Sequence, residues 1–256
     1  ISLEKTDQTM QSAGGVIMSA NDALRWLELM VREGHVGRRL IIAPDVVAAT
    51  RERLAQQDGE FAGYRREAYG LGWNIGPYRD ATMFHHFGGF AGFAAHVSYI
   101  PEAGVGVAAF ANDSSTGQSV IHSVANYAYD RLLGHSDASQ RLEAALQDAA
   151  TLRSRSLQRI EQDRANRAGR QWTLTRPRTA YAGVYESETW GRIEVRVEAD
   201  ALRVGYGVMQ ALAAPFTQPN SIRVELIPGQ GEALLFTGDG ERPDGLRNRS
   251  SAFQRV

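Results

Sequence analysis

Two adjacent histidines followed by glycines form the segment of this sequence best suited to chemistry. Residues 85–93 have the sequence HHFGGFAGF and lie at the end of a predicted strand. Glycines at such an edge let a ligand approach the backbone, because they carry no side chain that would obstruct it. Backbone N–H groups there can form an oxyanion hole, in which each donor stabilises the transition state by about 3 kcal/mol. His86 beside them can donate a hydrogen bond or transfer a proton near neutral pH.

Metal binding and thiol chemistry find little support, since the sequence contains no cysteine. Adjacent strand residues point to opposite faces, so His85 and His86 are a poor metal pair. An alternating strand predicts His96 to be a partly buried surface residue. Three histidines lie near predicted helix ends, where the helix dipole accounts for them: His35, His122 and His135. We therefore expect no metal ion and no cofactor.

The elements that position this segment follow from the spacing of apolar residues. Strands are predicted over residues 69–76, 81–87, 93–99 and 105–111, and their short connections make an antiparallel meander. The last of them is a continuous apolar run, which is typical of a central strand. Helices are predicted from Ser19 to Gly34, from Pro44 to about Gln57, and over residues 119–133. A meander covered by helices is an α+β arrangement.

Beyond the meander the composition changes twice. Residues 139–168 lack glycine and proline and are rich in Ala, Arg, Gln, Glu and Leu, which predicts a long helix. From Trp172 onward, alternating apolar residues separated by turn formers predict a small all-β domain. The sequence is therefore expected to divide into a domain over residues 1–136, a helical connector over 137–170 and a β-domain over 171–256.

Several of these segments, in this order, resemble the second half of serine β-lactamases, penicillin-binding proteins and the related esterases and peptidases. Residues 12–22 (SAGGVIMSAND) resemble that family's Ala-Gly-Gly turn before a helix, and residues 69–73 (YGLGW) resemble one of its strands. Residues 86–88 (HFG) resemble its third catalytic motif, which is Lys-Thr-Gly in many members and His-x-Gly in the esterase-like and peptidase-like branch. The resemblance covers about residues 10–134, and the region from Trp172 resembles a lipocalin-like domain appended to some members.

The resemblance implies a role for each residue of the glycine-rich segment. His86 would line the active site, and the Gly89 amide would contribute to the oxyanion hole. Gly88 would allow close approach of the substrate, which Phe87 and Phe90 would also contact. The implied fold is the C-terminal part of a β-lactamase-like antiparallel sheet flanked by helices, followed by a barrel-like domain.

The nucleophile of that family lies in a Ser-x-x-Lys motif, which a Tyr-x-Asn motif assists. No Tyr-x-Asn occurs in the sequence, whereas Ser2 to Lys5 match Ser-x-x-Lys. Only eight residues separate Lys5 from Gly14, an interval in which the family has a helical domain. A terminal segment also lacks the apolar helix that would bury and orient a nucleophile. We expect the nucleophile upstream of residue 1, and this chain alone to be inactive.

Two function hypotheses remain. The first is part of a serine hydrolase that acts through an acyl-enzyme on an ester, amide or β-lactam; the second is a non-catalytic binding or regulatory module with the same fold. The expected partners are a small-molecule or peptide substrate and the missing N-terminal half of the same protein. A net charge of -1 gives no reason to expect nucleic acid, and no apolar run reaches the roughly 20 residues of a membrane span. A periplasmic or exported bacterial protein is expected, with the cytoplasm as the alternative location.

Overall fold

The computed structural model describes residues 14–90, 92–114, 116–227 and 230–256, which form two compact units. One unit extends to Ser156 and the other runs from Leu157 to Val256. Helices and antiparallel sheets are both present, so the α+β prediction is confirmed. No helix in the described residues is long and apolar enough to cross a membrane.

In its described residues, the first unit contains two helices, a short hairpin, a six-stranded sheet and two further helices. The bounds of these elements are α1 Ala20–Val31, β1 His35–Val36, β2 Arg39–Leu40, α2 Pro44–Thr50, β3 Ala55–Phe61, β4 Tyr64–Tyr69, β5 Asn74–Tyr78, β6 Ala81–Phe90, β7 Phe93–Ile100, β8 Val105–Ala111, α3 Gly117–Leu132 and α4 Ala138–Ala168. The dividing point between the two units lies within α4.

Helix α1 begins where its sequence predicts. Ser19 is the N-cap, and its hydroxyl accepts a hydrogen bond from the Asp22 N–H at 3.2 Å. The Asp22 carboxylate in turn accepts from the Ser19 N–H at 3.4 Å, so two otherwise unpaired backbone donors are satisfied. The helix buries Leu27 and Met30 in a cluster that also contains sheet residues.

The second helix is shorter than predicted. It ends at Thr50 instead of near Gln57, and β3 begins at Ala55. The sequence of β3, AQQDGEF, is mostly polar and exposed, so it carries no apolar alternation that would predict a strand. Pairing with β4 is what makes it one.

The strand predicted over residues 69–76 is in fact two strands joined by a turn. The Gly70 N–H donates to the Trp73 carbonyl at 2.8 Å, and Gly72 has a φ of 86°. Glycine adopts that conformation without steric strain, which allows the chain to reverse between β4 and β5. The other three predicted strands are confirmed, although β6 extends to Phe90.

The six strands lie in chain order, and β8 is at one end of the sheet although its apolar run predicted a central position. Helices on both sides explain the run. Gly106 faces α1, since a Cβ there would lie 3.1 Å from the Leu27 Cβ. Ala111 faces α3, because a Cβ added to Gly117 of that helix would lie 2.8 Å from the Ala111 Cβ.

The described part of the second unit contains the end of α4, one short helix and nine strands. The bounds are α5 Arg178–Tyr181, β9 Gly183–Ser187, β10 Gly191–Glu198, β11 Ala201–Tyr206, β12 Met209–Leu212, β13 Ala214–Pro215, β14 Ser221–Ile227, β15 Gln230–Thr237, β16 Gly245–Arg247 and β17 Ala252–Arg255.

These nine strands form a nearly closed, barrel-like sheet. The sheet order is β12-β11-β10-β9-β17-β16-β15-β14-β13, so its two ends are β12 and β13. Those two strands are separated in the chain only by Ala213, whose N–H donates to the Leu202 carbonyl at 2.7 Å. Side chains that alternate inward fill the interior, among them Tyr185, Val204 and Phe236.

Candidate functional site

The glycine-rich segment lies where one side of β6 loses its neighbouring strand. β6 pairs with β5 from Ala81 to His85, the last pair being Asn74 with His85. On the other side it pairs with β7 as far as Phe90. Residues 86–90 therefore have a paired strand on one side only within the described part of the chain. We call the other side of these five residues the open edge.

The alternation of the antiparallel ladder determines which backbone groups point out of the open edge. A two-residue loop joins Tyr78 and Ala81, and the pair that closes such a loop is hydrogen-bonded. Hydrogen-bonded and non-hydrogen-bonded pairs alternate from there, so His85 is bonded to β5. Phe87 and Gly89 follow His85 by two and four residues, so their N–H and C=O groups point to the same side of the strand as those of His85. That side is the open edge.

Two other observations agree with this alternation. Pro77, which has no N–H, pairs with Thr82 at a position where no ladder hydrogen bond is required. On the β7 side, a two-residue loop joins Phe90 and Phe93, so their pair is the hydrogen-bonded one and the Gly89 pair is not. Both hairpins thus direct the Gly89 amide away from β7.

The two glycines leave the open edge accessible. Both are exposed. A Cβ at Gly89 would have no atom within 4 Å, and one at Gly88 would lie 3.4 Å from the Ala95 Cβ, an ordinary contact. The packing of the described residues therefore does not require glycine at position 89.

His86 is the exposed histidine of the pair, and His85 is buried. The His86 Nδ1 lies 3.1 Å from the Phe87 carbonyl oxygen, and its ring centroid lies 6.3 Å from that of Tyr69. A hydrogen bond from Nδ1 to that carbonyl places the neutral ring's lone pair on Nε2. His86 can then accept or return a proton at a group bound to the open edge.

Phe87 connects the open edge to the interior between the sheet and α3. Its half-buried ring contacts three histidine rings at centroid distances of 4.6 Å (His85), 4.8 Å (His96) and 4.3 Å (His122). The Tyr64 ring, from β4, lies 4.9 Å away on the same side. We call His85, His96 and His122 the histidine cluster.

A chain of hydrogen bonds runs through the cluster. The Gln118 Nε2 lies 2.9 Å from the His122 Nε2, and the His122 Nδ1 lies 2.7 Å from the His96 Nδ1. The His96 Nε2 lies 2.6 Å from the Ser98 hydroxyl, which lies 2.9 Å from the Tyr129 hydroxyl. In contrast, neither ring nitrogen of His85 has a hydrogen-bond partner among the described residues.

Burial keeps the cluster uncharged. Removal from water lowers the pKa of His85 and of His96 to about 3, and that of His122 to about 4. The neighbouring Arg66 charge acts in the same direction on His85, and His122 does so on His96.

The structure corrects two expectations about these histidines. His96 is completely buried, not a surface residue, and His122 lies inside the cluster instead of standing alone near a helix end. The sequence did contain a signal: His96 has the same strand phase as the buried Ala94 and Ser98. His85 and His86 do point to opposite faces, as predicted. No group of three or more potential ligands among the described residues could hold a metal ion.

The Ser2–Lys5 motif lies outside the described residues, as do Ser12 and Ala13 of the Ala-Gly-Gly turn. The turn's Gly14 is described and has a φ of 70°. Lys5 is the only lysine in the sequence, so a Ser–Lys pair cannot be assembled from residues 6–256.

A family model described as Beta-lactamase matches residues 2–129, which is half of the chain. The chain belongs to the β-lactamase family. The matched residues of this β-lactamase-family chain include the whole six-stranded sheet and the open edge. No curated protein matches the chain.

Solved structures similar to this β-lactamase-family chain include the octameric penicillin-binding protein homologue from Pyrococcus abyssi, at 19% identity and a TM-score of 0.41, with 93% of this chain and 48% of that one covered. A structure of SurE is similar at 15% identity and a TM-score of 0.29, with 90% and 46% covered. SurE with D-Leu is similar at 13% identity and a TM-score of 0.28, with 84% and 44% covered. The chain thus spans about half the length of the solved structures it matches.

Proposed function

We propose that this chain provides the strand that binds the substrate carbonyl in a serine hydrolase acting through an acyl-enzyme. The observation that carries the proposal is the direction of the Gly89 amide, which points out of the open edge, where β6 has no paired strand among the described residues. An N–H group fixed in a sheet needs no reorganisation to meet a developing oxyanion, and this makes it effective in a transition state.

An extended substrate would lie along the open edge in the manner of an added strand. Phe87 and Gly89 would supply its backbone hydrogen bonds, and Gly88 would let it approach closely. Phe90, at the end of the edge, would contact substrate groups next to the carbonyl. His86 would act near the oxyanion or the substrate carboxylate, with Nε2 available for proton transfer.

The nucleophile is proposed to lie outside these 256 residues. The proposal rests on the single lysine at position 5 and on the absence of Tyr-x-Asn from the sequence. An activated serine needs a base within hydrogen-bond reach, and the described residues beside the open edge offer histidine but no lysine.

An ester or a peptide is the proposed substrate class. The His-x-Gly motif at His86 replaces the lysine that, in Lys-Thr-Gly members of the family, meets the carboxylate of a β-lactam. A neutral imidazole attracts a carboxylate less strongly than an ammonium group does.

The test is to express the protein encoded by the complete reading frame and to label it with a fluorophosphonate probe. Mass spectrometry then identifies the labelled peptide. The expected label is on a serine of a Ser-x-x-Lys motif outside residues 1–256, and this chain alone should remain unlabelled. A label on Ser2 that Ser2→Ala abolishes would overturn the assignment of the nucleophile. Complete absence of labelling and of ester hydrolysis would overturn the hypothesis that the protein is a serine hydrolase. It would favour a non-catalytic binding module.

A matched pair of glycine variants tests the open edge in the same protein. Gly89→Ala should slow labelling at least about tenfold, which is less than the roughly 10²–10³ for loss of a donor because the amide itself remains. Gly59→Ala makes the same change on β3, where a Cβ also meets no atom within 4 Å, and should label at the normal rate. Equal rates for the two variants would contradict a role for Gly89.

A further inference from the structure

We propose that the histidine cluster makes the position of the open edge sensitive to acid, because it holds Phe87 only while all three rings are uncharged. The proposal concerns the conformation of β6 and does not depend on the reaction proposed above. Acidification is expected to release the segment from His86 to Phe90 while the barrel-like unit stays folded.

The geometry places Phe87 at the centre of the cluster. The His85 ring is stacked on it with an interplanar angle of 20°, and the His96 and His122 rings approach it at 32° and 57°. His85 lies on the same strand as Phe87, whereas His96 and His122 come from β7 and α3, so two other elements hold Phe87 in place. A movement of any of these rings changes the packing around Phe87, which lies between His86 and Gly88 in the strand.

The hydrogen bonds suit neutral rings. Each of His96 and His122 uses one nitrogen as donor and the other as acceptor, and the Nδ1 atoms that face each other share one proton. Two fully protonated rings would direct two N–H groups at each other across 2.7 Å. A proton on His85 would be worse placed, because that ring is 1% exposed and has no partner among the described residues.

The charged groups around the cluster do not favour protonation. On β4, the Arg66 guanidinium lies 6.0 Å from the Phe87 ring centre and opposes a positive charge on His85. On α3, the buried Asp130 carboxylate is occupied by Tyr78, Arg79 and Arg141. Before α3, Asp113 accepts from the Thr116 hydroxyl at 2.7 Å. His86, on the same strand as His85, also opposes its protonation.

The phenols that border the cluster add no negative charge. Burial raises the pKa of Tyr64, Tyr78 and Tyr129 above the ordinary value, so these residues stay neutral. Tyr64 donates its proton to the Asn126 side chain at 2.7 Å. These three phenols are therefore neutral neighbours of the cluster.

Linkage gives the direction of the effect. In the closed conformation, in which the three histidine rings are buried around Phe87, the cluster binds protons only at a pH of about 3 to 4. In the open form, in which the segment is released and the rings are exposed to water, they would bind protons near the ordinary histidine pKa of about 6.5. Between those values protons bind the open form alone. The ratio of open to closed form then rises by up to about tenfold per pH unit for each histidine.

The primary test is NMR of the unaltered chain between pH 8 and pH 5. The ring carbons of His85, His96 and His122 should keep the shifts of neutral imidazole while the fold is closed. Amide exchange at Gly88, which is bonded to β7, should accelerate at least about tenfold from pH 7 to pH 5.5 after division by the intrinsic rate. The Val204 amide in the barrel-like sheet should show no such increase.

Ordinary titration of the three buried rings near pH 6.5 in the closed form would overturn the proposal. So would an exchange increase at Gly88 no larger than at Val204. These measurements need no variant, so they decide the matter even where a substitution prevents folding.

A variant isolates the proton site. His85→Phe keeps a flat ring against Phe87 and removes no hydrogen bond, because the His85 nitrogens have no partner among the described residues. It should reduce the acid dependence of exchange at Gly88 at least about threefold. His135→Gln, at a partly exposed position after α3, should leave that dependence unchanged. An acid dependence in His85→Phe equal to that of the unaltered chain would contradict the proposal.

Discussion

The Nδ1 atoms of His96 and His122 lie 2.7 Å apart in the interior between the sheet and α3. One of these nitrogens must carry a proton and the other must accept it. With the Gln118 amide nitrogen donating to the His122 Nε2, the proton lies on the His122 Nδ1. His96 then receives at Nδ1 and donates from Nε2 to the Ser98 hydroxyl. The two buried rings are therefore opposite tautomers.

The first prediction concerns these tautomers. Nitrogen-15 NMR of the imidazole rings at pH 7 should give the Nδ1–H form for His122 and the Nε2–H form for His96. Ser98→Ala removes the acceptor of the His96 proton and should broaden or shift that N–H signal, because the proton then exchanges more easily. Identical tautomers for the two rings would contradict the hydrogen-bond chain.

The second prediction concerns stability against pH. Burial lowers the pKa of all three cluster histidines, so the unfolded chain binds more protons than the folded one below about pH 6.5. The free energy of unfolding is then constant above pH 6.5 on this account and falls toward pH 4, by up to about 1.4 kcal/mol per pH unit for each histidine. Urea denaturation from pH 8 to pH 4 measures it. A profile unchanged by His85→Phe would rule out this origin.

The third prediction separates structural from functional glycines. A Cβ at Gly76 would lie 1.9 Å from the Arg65 carbonyl oxygen, so Gly76→Ala forces β4 and β5 apart. Thermal unfolding should show a loss of about 3 kcal/mol or more, at the upper end for overpacking. Gly89→Ala should change stability by less than about 0.5 kcal/mol, because the new methyl group meets no atom of the fold. A large loss in Gly89→Ala would contradict the free space found around a Cβ at this position.

The fourth prediction concerns the buried carboxylate of Asp130. It accepts from the Tyr78 hydroxyl at 2.9 Å and pairs with Arg79 and Arg141 while only 1% exposed. Asp130→Asn should destabilise the first unit by about 2–3 kcal/mol, less than a fully buried pair because both arginines remain partly in water. Asp137→Asn, which removes the exposed partner of Arg79, is the control and should have a much smaller effect.

The parts of the fold that could be predicted are those in which local chemistry agrees with the final environment. Ser19 is both a good N-cap by type and the N-cap in fact, and the glycine-rich segment does lie at a strand end. The hairpin of β3 and β4 could not be predicted in the same way, because β3 is polar on both faces and becomes a strand only by pairing. The residue types around Gly70 and Gly72 predict a continuous strand, whereas the turn there depends on backbone angles such as the positive φ of Gly72.

The candidate site also has a part that local sequence predicts and a part that depends on contacts between distant residues. The glycine-rich segment at a strand end follows from sequence composition, but its unpaired side and the direction of the Gly89 amide depend on the registers of two hairpins. The histidine cluster depends on contacts between residues far apart in the chain, such as the 26 positions from His96 to His122. A prediction made for each histidine from its neighbours in the sequence therefore could not identify the histidine cluster.

The pairing of β9 with β17 has a consequence for how the protein is made. β9 is the first strand of the barrel-like sheet to be synthesised and β17 is the last, yet they are neighbours. The six-stranded sheet, by contrast, pairs only strands that follow each other, so it can assemble as the chain emerges from the ribosome. The barrel-like sheet must wait with Tyr185 and its apolar neighbours uncovered until Ala252–Arg255 have emerged. A ribosome that pauses before the codons of β17 would therefore leave the apolar side chains of this sheet accessible to chaperones.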